Sequence, residues 1–170
     1  AAYVAANAVL DGLAGQHGGL RVVTLSSGMW AGTGMADEFE RRARLGLGPG
    51  RPVAHPVFEE VVTSARDHAV DVVGHLDASA HWLVADHRVD GEPVLPGTGH
   101  LELLVAAARL AGAADGPVHL ARVALHRPLV VPDDVVLPVR VRVGTGASGR
   151  TLQLESAPGG YHWELHTTAD

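Results

Sequence analysis

Residues 98–111, "TGHLELLVAAARLA", constrain the fold more than any other stretch, because their apolar positions leave almost no polar face. Leu101, Leu104, Val105 and Ala108 form one stripe at helical spacing, and Leu103, Ala106, Ala107 and Leu110 extend it nearly all round. A helix that is apolar on most of its surface is a buried one, so other elements must wrap it. The wrapping is supplied downstream, where the period changes to two. "VRVRV" at 139–143 sets Val139, Val141 and Val143 against Arg140 and Arg142, and "TLQLE" at 151–155 sets Leu152 and Leu154 against polar neighbours. In "YHWELH" Tyr161, Trp163 and Leu165 fall on one expected face, and His162, Glu164 and His166 on the other, solvated one. Such strands belong to an antiparallel sheet covered on one side.

An antiparallel sheet wrapped round one buried helix is the hot-dog architecture, and the pattern predicts it for residues 56–170, in the α+β class. Ahead of it, "LGLGPGRPVAHP" at 45–56 packs three glycines and three prolines into twelve residues, which argues against a regular element. The expected division is therefore a first unit over 1–48, a linker over 49–55 and the hot-dog from 56. In the first unit "YVAANAVLDGLAG" carries Val4, Val9, Leu10 and Leu13 at helical spacing with Gly15 as a C-cap signal. "LRVVTLSS" suits a short buried strand, "GMWAGTGM" a loop, and "ADEFERRARL" a charged helix. Helix, strand, loop and helix in that order match the C-terminal part of a Rossmann-type α/β unit.

Charge and composition exclude several classes. A net charge of −6, from 13 basic and 19 acidic side chains, disfavours nucleic acid or anionic lipid as partner. With no cysteine there are no disulfides, thiolate nucleophiles or cysteine-based metal sites. No uncharged apolar run is long enough to span a membrane, and the first residues lack the pattern of a signal peptide, so a cytoplasmic chain is expected.

The segment "HRVDGEPVLP" at 87–96 is the most specific feature. It resembles the H-x3-G-x4-P motif of the dehydratase domains of modular polyketide synthases and animal-type fatty acid synthases, with His87, Gly91 and Pro96 at the matching positions. The surrounding "WLVADHRVDGEPVLPGTGHLELLVAAA" and "RPLVVPDD" at 127–134 are similar to the same family. The resemblance runs from about His55 to Asp170 and corresponds to the N-terminal hot-dog half of a double hot-dog. The upstream residues resemble the C-terminal end of a ketoreductase of the same synthases, with Tyr3 and Asn7 in the Y-x3-N spacing of its catalytic pair. Departures are plain there: Ser27 stands where a tryptophan is usual, no glycine-rich phosphate turn is present, and no catalytic serine or lysine can be assigned. NADPH binding is accordingly expected only if the rest of a ketoreductase is supplied by another chain.

Loss of water from a 3-hydroxyacyl thioester needs a base for the α-proton and a donor for the charge that develops on the thioester oxygen. A neutral imidazole, with an ordinary pKa of ~6.5, suits the first task, and His87 would be that base. The backbone N–H of Gly97, at a helix start, would be the oxyanion donor, while Pro96 fixes the turn and Gly91 opens it. The resemblance implies that the acid is an aspartate in a D-x3-Q/H motif on the second hot-dog. "DVVGH" at 71–75 and "DGPVH" at 115–119 mimic that motif, but neither lies where the family carries it. His81 is expected at the surface or at the rim of the site. His162 and His166 share an expected strand face, yet two ligands are too few for zinc, so no metal is expected.

Two functions are compatible with these residues. One is a lyase, a 3-hydroxyacyl-[acyl-carrier-protein] dehydratase of polyketide biosynthesis. It would need no cofactor and is incomplete without a second hot-dog that carries the acid. Its partners would be an acyl carrier protein bearing a phosphopantetheine-bound substrate and the complementary half, or a second copy in a homodimer. The alternative is a non-catalytic docking or structural module of a polyketide synthase.

Overall fold

Where the apolar residues go is seen in a computed structural model, which describes residues 35–64, 67–112, 116–146 and 149–170, together with 8, 9, 12, 15–17 and 20–23. The chain divides into two units, Ala1–Phe39 and Glu40–Asp170. In the first, strand β1 (Gly15–His17) pairs antiparallel with strand β2 (Leu20–Val22), His17 opposite Leu20. This corrects two expectations. Gly15 opens a strand instead of capping a helix, and of the 20–27 segment Leu20–Val22 pair in a two-stranded ribbon with Val23 64% exposed, while residues 24–27 lie outside the described residues. The signal was available in the two glycines at 18 and 19, since two-residue glycine connections favour hairpins. The charged helix forms as expected: α1 spans Met35–Arg44.

The second unit is built on a seven-stranded, all-antiparallel sheet. Its strands are β3 (Arg51–Pro52), β4 (Phe58–Thr63), β5 (Val70–Leu76), β8 (Ala124–Leu125), β9 (Leu137–Gly146), β10 (Gly149–Ser156) and β11 (Glu164–Ala169). Their spatial order is β3-β4-β5-β9-β10-β11-β8. Three short elements stand apart from this sheet: helix α2 (Trp82–Ala85) and a separate ribbon of β6 (Arg88–Val89) and β7 (Glu92–Pro93). Helix α3 (Gly97–Leu110) lies against the sheet. The period-two pattern sets the register: Val139, Val141 and Val143 of β9 face Gly74, Val72 and Val70 of β5 across the ladder. Gly74 is required by closeness, because a Cβ there would stand 1.9 Å from the carbonyl oxygen of Val57.

Leu103, Leu104 and Ala107 of α3 pack on Val72, Leu76, Val139, Val141 and Leu154 in one core, each buried Leu or Val contributing about 1.5–3 kcal/mol relative to exposure. The hot-dog architecture is thus confirmed, with one adjustment. The sheet wraps one side of the helix and leaves Leu101 39% exposed, with Glu102 also outside, so the stripe is not buried all round.

Two further expectations are corrected on the other strands. The 49–55 segment is not free of regular structure, since Arg51 and Pro52 form the edge strand β3 opposite Val61 and Glu60. Proline is tolerated there because an edge strand needs no ladder bond on its outer side. In 161–166 the alternation is not kept: Tyr161 and His162 are both exposed, Trp163 and Leu165 are half-buried, and His166 is only 4% exposed. A β-bulge between Leu154 and Glu155 shifts the β10–β11 register at that point. One residue of slip changes which side chains face in.

Candidate functional site

His87 sits immediately before the β6–β7 ribbon, whose two-residue connection is Asp90 and Gly91. Both have positive φ, 52° and 90°, as a type I′ hairpin requires. Gly91 is therefore explained by the turn itself. The turn returns the chain so that Val94 lies beside His87. Val94 N–H donates to the His87 carbonyl at 2.9 Å, and the ring Nδ1 is 2.7 Å from the Val94 carbonyl oxygen. A carbonyl only accepts, so Nδ1 carries a proton, and in the neutral ring the lone pair is on Nε2. Among the described residues Nε2 makes no hydrogen bond, and the side chain is exposed.

Pro96 and Gly97 follow at the start of α3. Pro96 is the N-cap, one place before the first helical residue, with φ −65° and ψ 154°, and its carbonyl accepts from Gly99 N–H at 2.8 Å and His100 N–H at 3.1 Å. Gly97 is exposed and supplies the first of the helix's outward N–H groups. A Cβ at Gly97 would meet nothing nearer than Leu125 Cδ1 at 3.8 Å. Gly99 differs, since a Cβ there would come within 2.7 Å of Leu95 Cδ1 and 3.3 Å of Leu83 Cδ1. Close packing at the helix start thus depends on Gly99, which the motif does not single out.

The "RPLVVPDD" segment runs alongside the motif. Leu95 N–H donates to Leu129 O and Val131 N–H to Pro93 O, both at 2.9 Å, with Val94 bridging Val130 between them. Leu129 and Val131 are buried, so this strap anchors the motif to the core. The two stretches that carry the family resemblance are one structural unit.

Two hollows adjoin the start of α3. The smaller, about 280 Å³, is lined by Gly97, His100, Leu125 and Arg127 among others. The larger, about 760 Å³ and mostly apolar, is lined by His55, Val57, His81, Leu83, Gly99 and Trp82, the last 79% exposed. His87 is not among the lining residues of either. His81 is half-buried in the wall of the larger hollow, where its Nδ1 accepts from Asp77 N–H at 3.0 Å and its Nε2 lies 3.0 Å from the Pro56 carbonyl. His55 Nδ1 accepts from the N–H groups of Val57 and Phe58, and partial burial lowers its pKa.

A buried histidine pair lies beneath the site. His100, 3% exposed, hydrogen-bonds with the hydroxyl of Thr167, and burial together with nearby His166 lowers its pKa to about 4. His166 donates from Nδ1 to Pro128 O at 3.0 Å and accepts at Nε2 from the Ser156 hydroxyl at 2.8 Å. Burial lowers its pKa as well. Both ring nitrogens are thus engaged, and His166 does not share a solvated face with His162. Its place next to Thr167 on a strand gives no sequence signal of burial.

Other candidates fall elsewhere. Asp71 is buried on the sheet between Arg140 and Arg142, so "DVVGH" is an ion-pair site. Asp115, Tyr3 and Asn7 lie outside the described residues, as does most of "GMWAGTGMA".

A family model described as "Polyketide synthase dehydratase domain" matches residues 55–157. The chain belongs to the polyketide synthase dehydratase family. Among curated proteins, this dehydratase chain is 34% identical over 118 residues to polyketide synthase GfsE of Streptomyces halstedii, covering 66% of this chain and 3% of that one. It is 35% identical over 122 residues to the pikromycin polyketide synthase component PikAII of Streptomyces venezuelae, covering 67% and 3%. Among solved structures it is similar to a bifunctional dehydratase-cyclase domain of ambruticin biosynthesis, with TM-score 0.61 and 30% identity over 72% of this chain and 44% of that one. The dehydratase domain from the terminal module of the rifamycin polyketide synthase gives TM-score 0.57 and 30% identity, over 68% and 41%. The chain therefore spans a small part of the synthases and under half of the solved dehydratases. No helix among the described residues is long and apolar enough to cross a membrane.

Proposed function

We propose that this chain supplies the histidine half of a dehydratase that converts a 3-hydroxyacyl thioester on an acyl carrier protein to the 2-enoyl thioester. The observation that carries this reading is the 2.7 Å bond from His87 Nδ1 to the Val94 carbonyl, which fixes the tautomer a general base needs. Nε2 takes the α-proton, electron density moves toward the thioester carbonyl, and the Gly97 N–H stabilises the oxygen as charge develops. The Cβ–O bond then breaks, and the hydroxyl leaves as water with a proton from an acid on a second hot-dog. The step is redox neutral and needs no cofactor. Pro96 and Gly91 serve by shape: one caps α3 and the other turns the ribbon that returns Val94 to His87.

The need for a complementary half is supported by the open side of α3 and by the exposed Trp82 beside a large apolar hollow. Exposed apolar area of this kind marks an interaction face. The test is reconstitution with a complementary hot-dog and a 3-hydroxyacyl pantetheine thioester. Turnover is expected from the mixture and from neither half alone. A chain that dehydrates this substrate unaided would contradict the division of base and acid between halves.

A further inference from the structure

The ribbon that carries His87 is a weak element. It has two residue pairs, Arg88 with Pro93 and Val89 with Glu92, and proline removes one N–H from that short ladder. A two-stranded ribbon of this size does not hold its own geometry in water, so the His87–Val94 alignment must be fixed from outside. On the β7 side the fixing is done by backbone bonds to the strap at Leu129 and Val131. On the β6 side His87 N–H donates to the carbonyl of buried Val84 at 3.3 Å, and the link from β6 to the strap is made by one side chain. Arg88 donates from Nη1 to Gly91 O at 2.8 Å and to Asp133 Oδ2 at 2.9 Å, and from Nη2 to Asp133 Oδ1 at 2.6 Å.

This pair is exposed, and exposed ion pairs contribute little to stability. Its geometry is the informative part. A forked guanidinium–carboxylate contact fixes direction as well as distance, and the third bond reaches the turn residue Gly91. The hydrogen-bonded carboxyl of Asp133 is held below its ordinary pKa by Arg88, so it stays ionised. Asp133 also lies two residues beyond Val131, on the strap already anchored to the core. β6 and β7 are thus tied to the same strap by two independent kinds of contact.

We infer that Asp133 is a positioning residue for His87, acting through Arg88 to hold the ribbon in the register that puts the imidazole Nδ1 on the Val94 carbonyl. Its catalytic consequence rests on the dehydratase reading above; its structural consequence does not. The test is the protonation pattern of the His87 ring, read by long-range nitrogen–proton NMR on the 170-residue chain, with His87→Gln to assign the signal. The proton is expected on Nδ1 in the wild type. Asp133→Asn and Arg88→Gln should shift it toward the Nε2-protonated form that free imidazole side chains favour in water. Asp133→Glu should retain the wild-type pattern, and the double exchange Arg88→Asp with Asp133→Arg should recover it. In the reconstituted enzyme Asp133→Asn should lower kcat by about 10–100-fold with KM unchanged, the size expected for a misaligned catalytic group. An Asp133→Asn ring that keeps its Nδ1 proton overturns the inference, whatever the turnover. Loss of that proton in a protein whose wild type does not dehydrate supports the positioning role and contradicts the dehydratase reading instead.

Discussion

The Nδ1 of His100 on α3 lies 2.5 Å from the hydroxyl oxygen of Thr167 on β11, and this is a polar link between the central helix and the sheet that encloses it. Both residues are buried, so neither has water as a substitute partner. Replacing Thr167 by Val should cost about 1–3 kcal/mol, the penalty for an unpaired buried polar group. Urea unfolding followed by circular dichroism would measure it.

The same pair sets a pH dependence. The pKa of His100 is about 4 against an ordinary 6.5, and that of His166 is lowered too, so the unfolded chain binds protons that the folded chain refuses. The stability these neutral rings confer is complete above pH 6.5 and is lost as pH falls toward 4. Buried Asp71, whose pKa is raised by desolvation, acts in the opposite direction, so the comparison must be between variants. The urea midpoint of the wild type should fall more steeply between pH 7 and 5 than that of His100→Gln. Equal slopes would show that His100 titrates normally.

At the helix start, Gly97 and Gly99 should respond differently to alanine. A methyl at Gly99 meets Leu95 and Leu83, and overpacking of this kind costs about 1–3 kcal/mol, partly offset by the ~1 kcal/mol alanine gains in a helix. A methyl at Gly97 meets only Leu125 at van der Waals distance. Thermal melts should therefore rank Gly99→Ala below Gly97→Ala. The Gly97 variant should fold normally and lose activity only if that amide touches substrate.

Residues 40–54, just before the family match, belong to the hot-dog unit. Trp163 Nε1–H donates to Leu45 O at 3.0 Å, Arg140 stacks over the Trp163 ring at 4.3 Å from its centre, and Leu45 is buried. Arg42 also pairs with Glu60 on β4. A chain beginning at His55 should be less stable than one beginning at Glu40, and Trp163→Phe should lose about 1 kcal/mol from the indole hydrogen bond. Equal melting temperatures for the two chains would contradict this.

These contacts also mark what could be read from the residues alone. The alternation in 139–143 and 151–155 and the apolar run of α3 impose a wrapped helix because period and burial are local properties. At 87–96 only a turn at Gly91 and Pro96 was expected, and the β6–β7 ribbon, which the Asp90-Gly91 pair signals, was missed. The ion pair of Arg140 with Asp71 was not legible, because it joins strands far apart in the chain, and Arg140, 9% exposed and also paired with Glu155 across the β9–β10 hairpin, looks in sequence like a solvated residue between valines. The glycine and proline seam likewise hid β3, which needs only an edge to pair with. His166 was misplaced by a single β-bulge. Gly99 and Asp133 carry no sequence signal separating them from their neighbours Gly97 and Asp134; only packing distinguishes them.

The central claim is that Nε2 of His87 removes the α-proton. Its most direct test is the rate at which the reconstituted dehydratase converts a 3-hydroxyacyl pantetheine thioester with His87 intact and with His87→Ala, under conditions where native gels show equal assembly. His87 is exposed, so assembly should be unchanged, and the melting temperature should fall by no more than the loss of its one hydrogen bond to the Val94 carbonyl, about 1 kcal/mol, accounts for. The rate should fall by about 10²–10⁴, the loss typical of a missing general base. An assembled His87→Ala enzyme that turns over at the wild-type rate would contradict the claim.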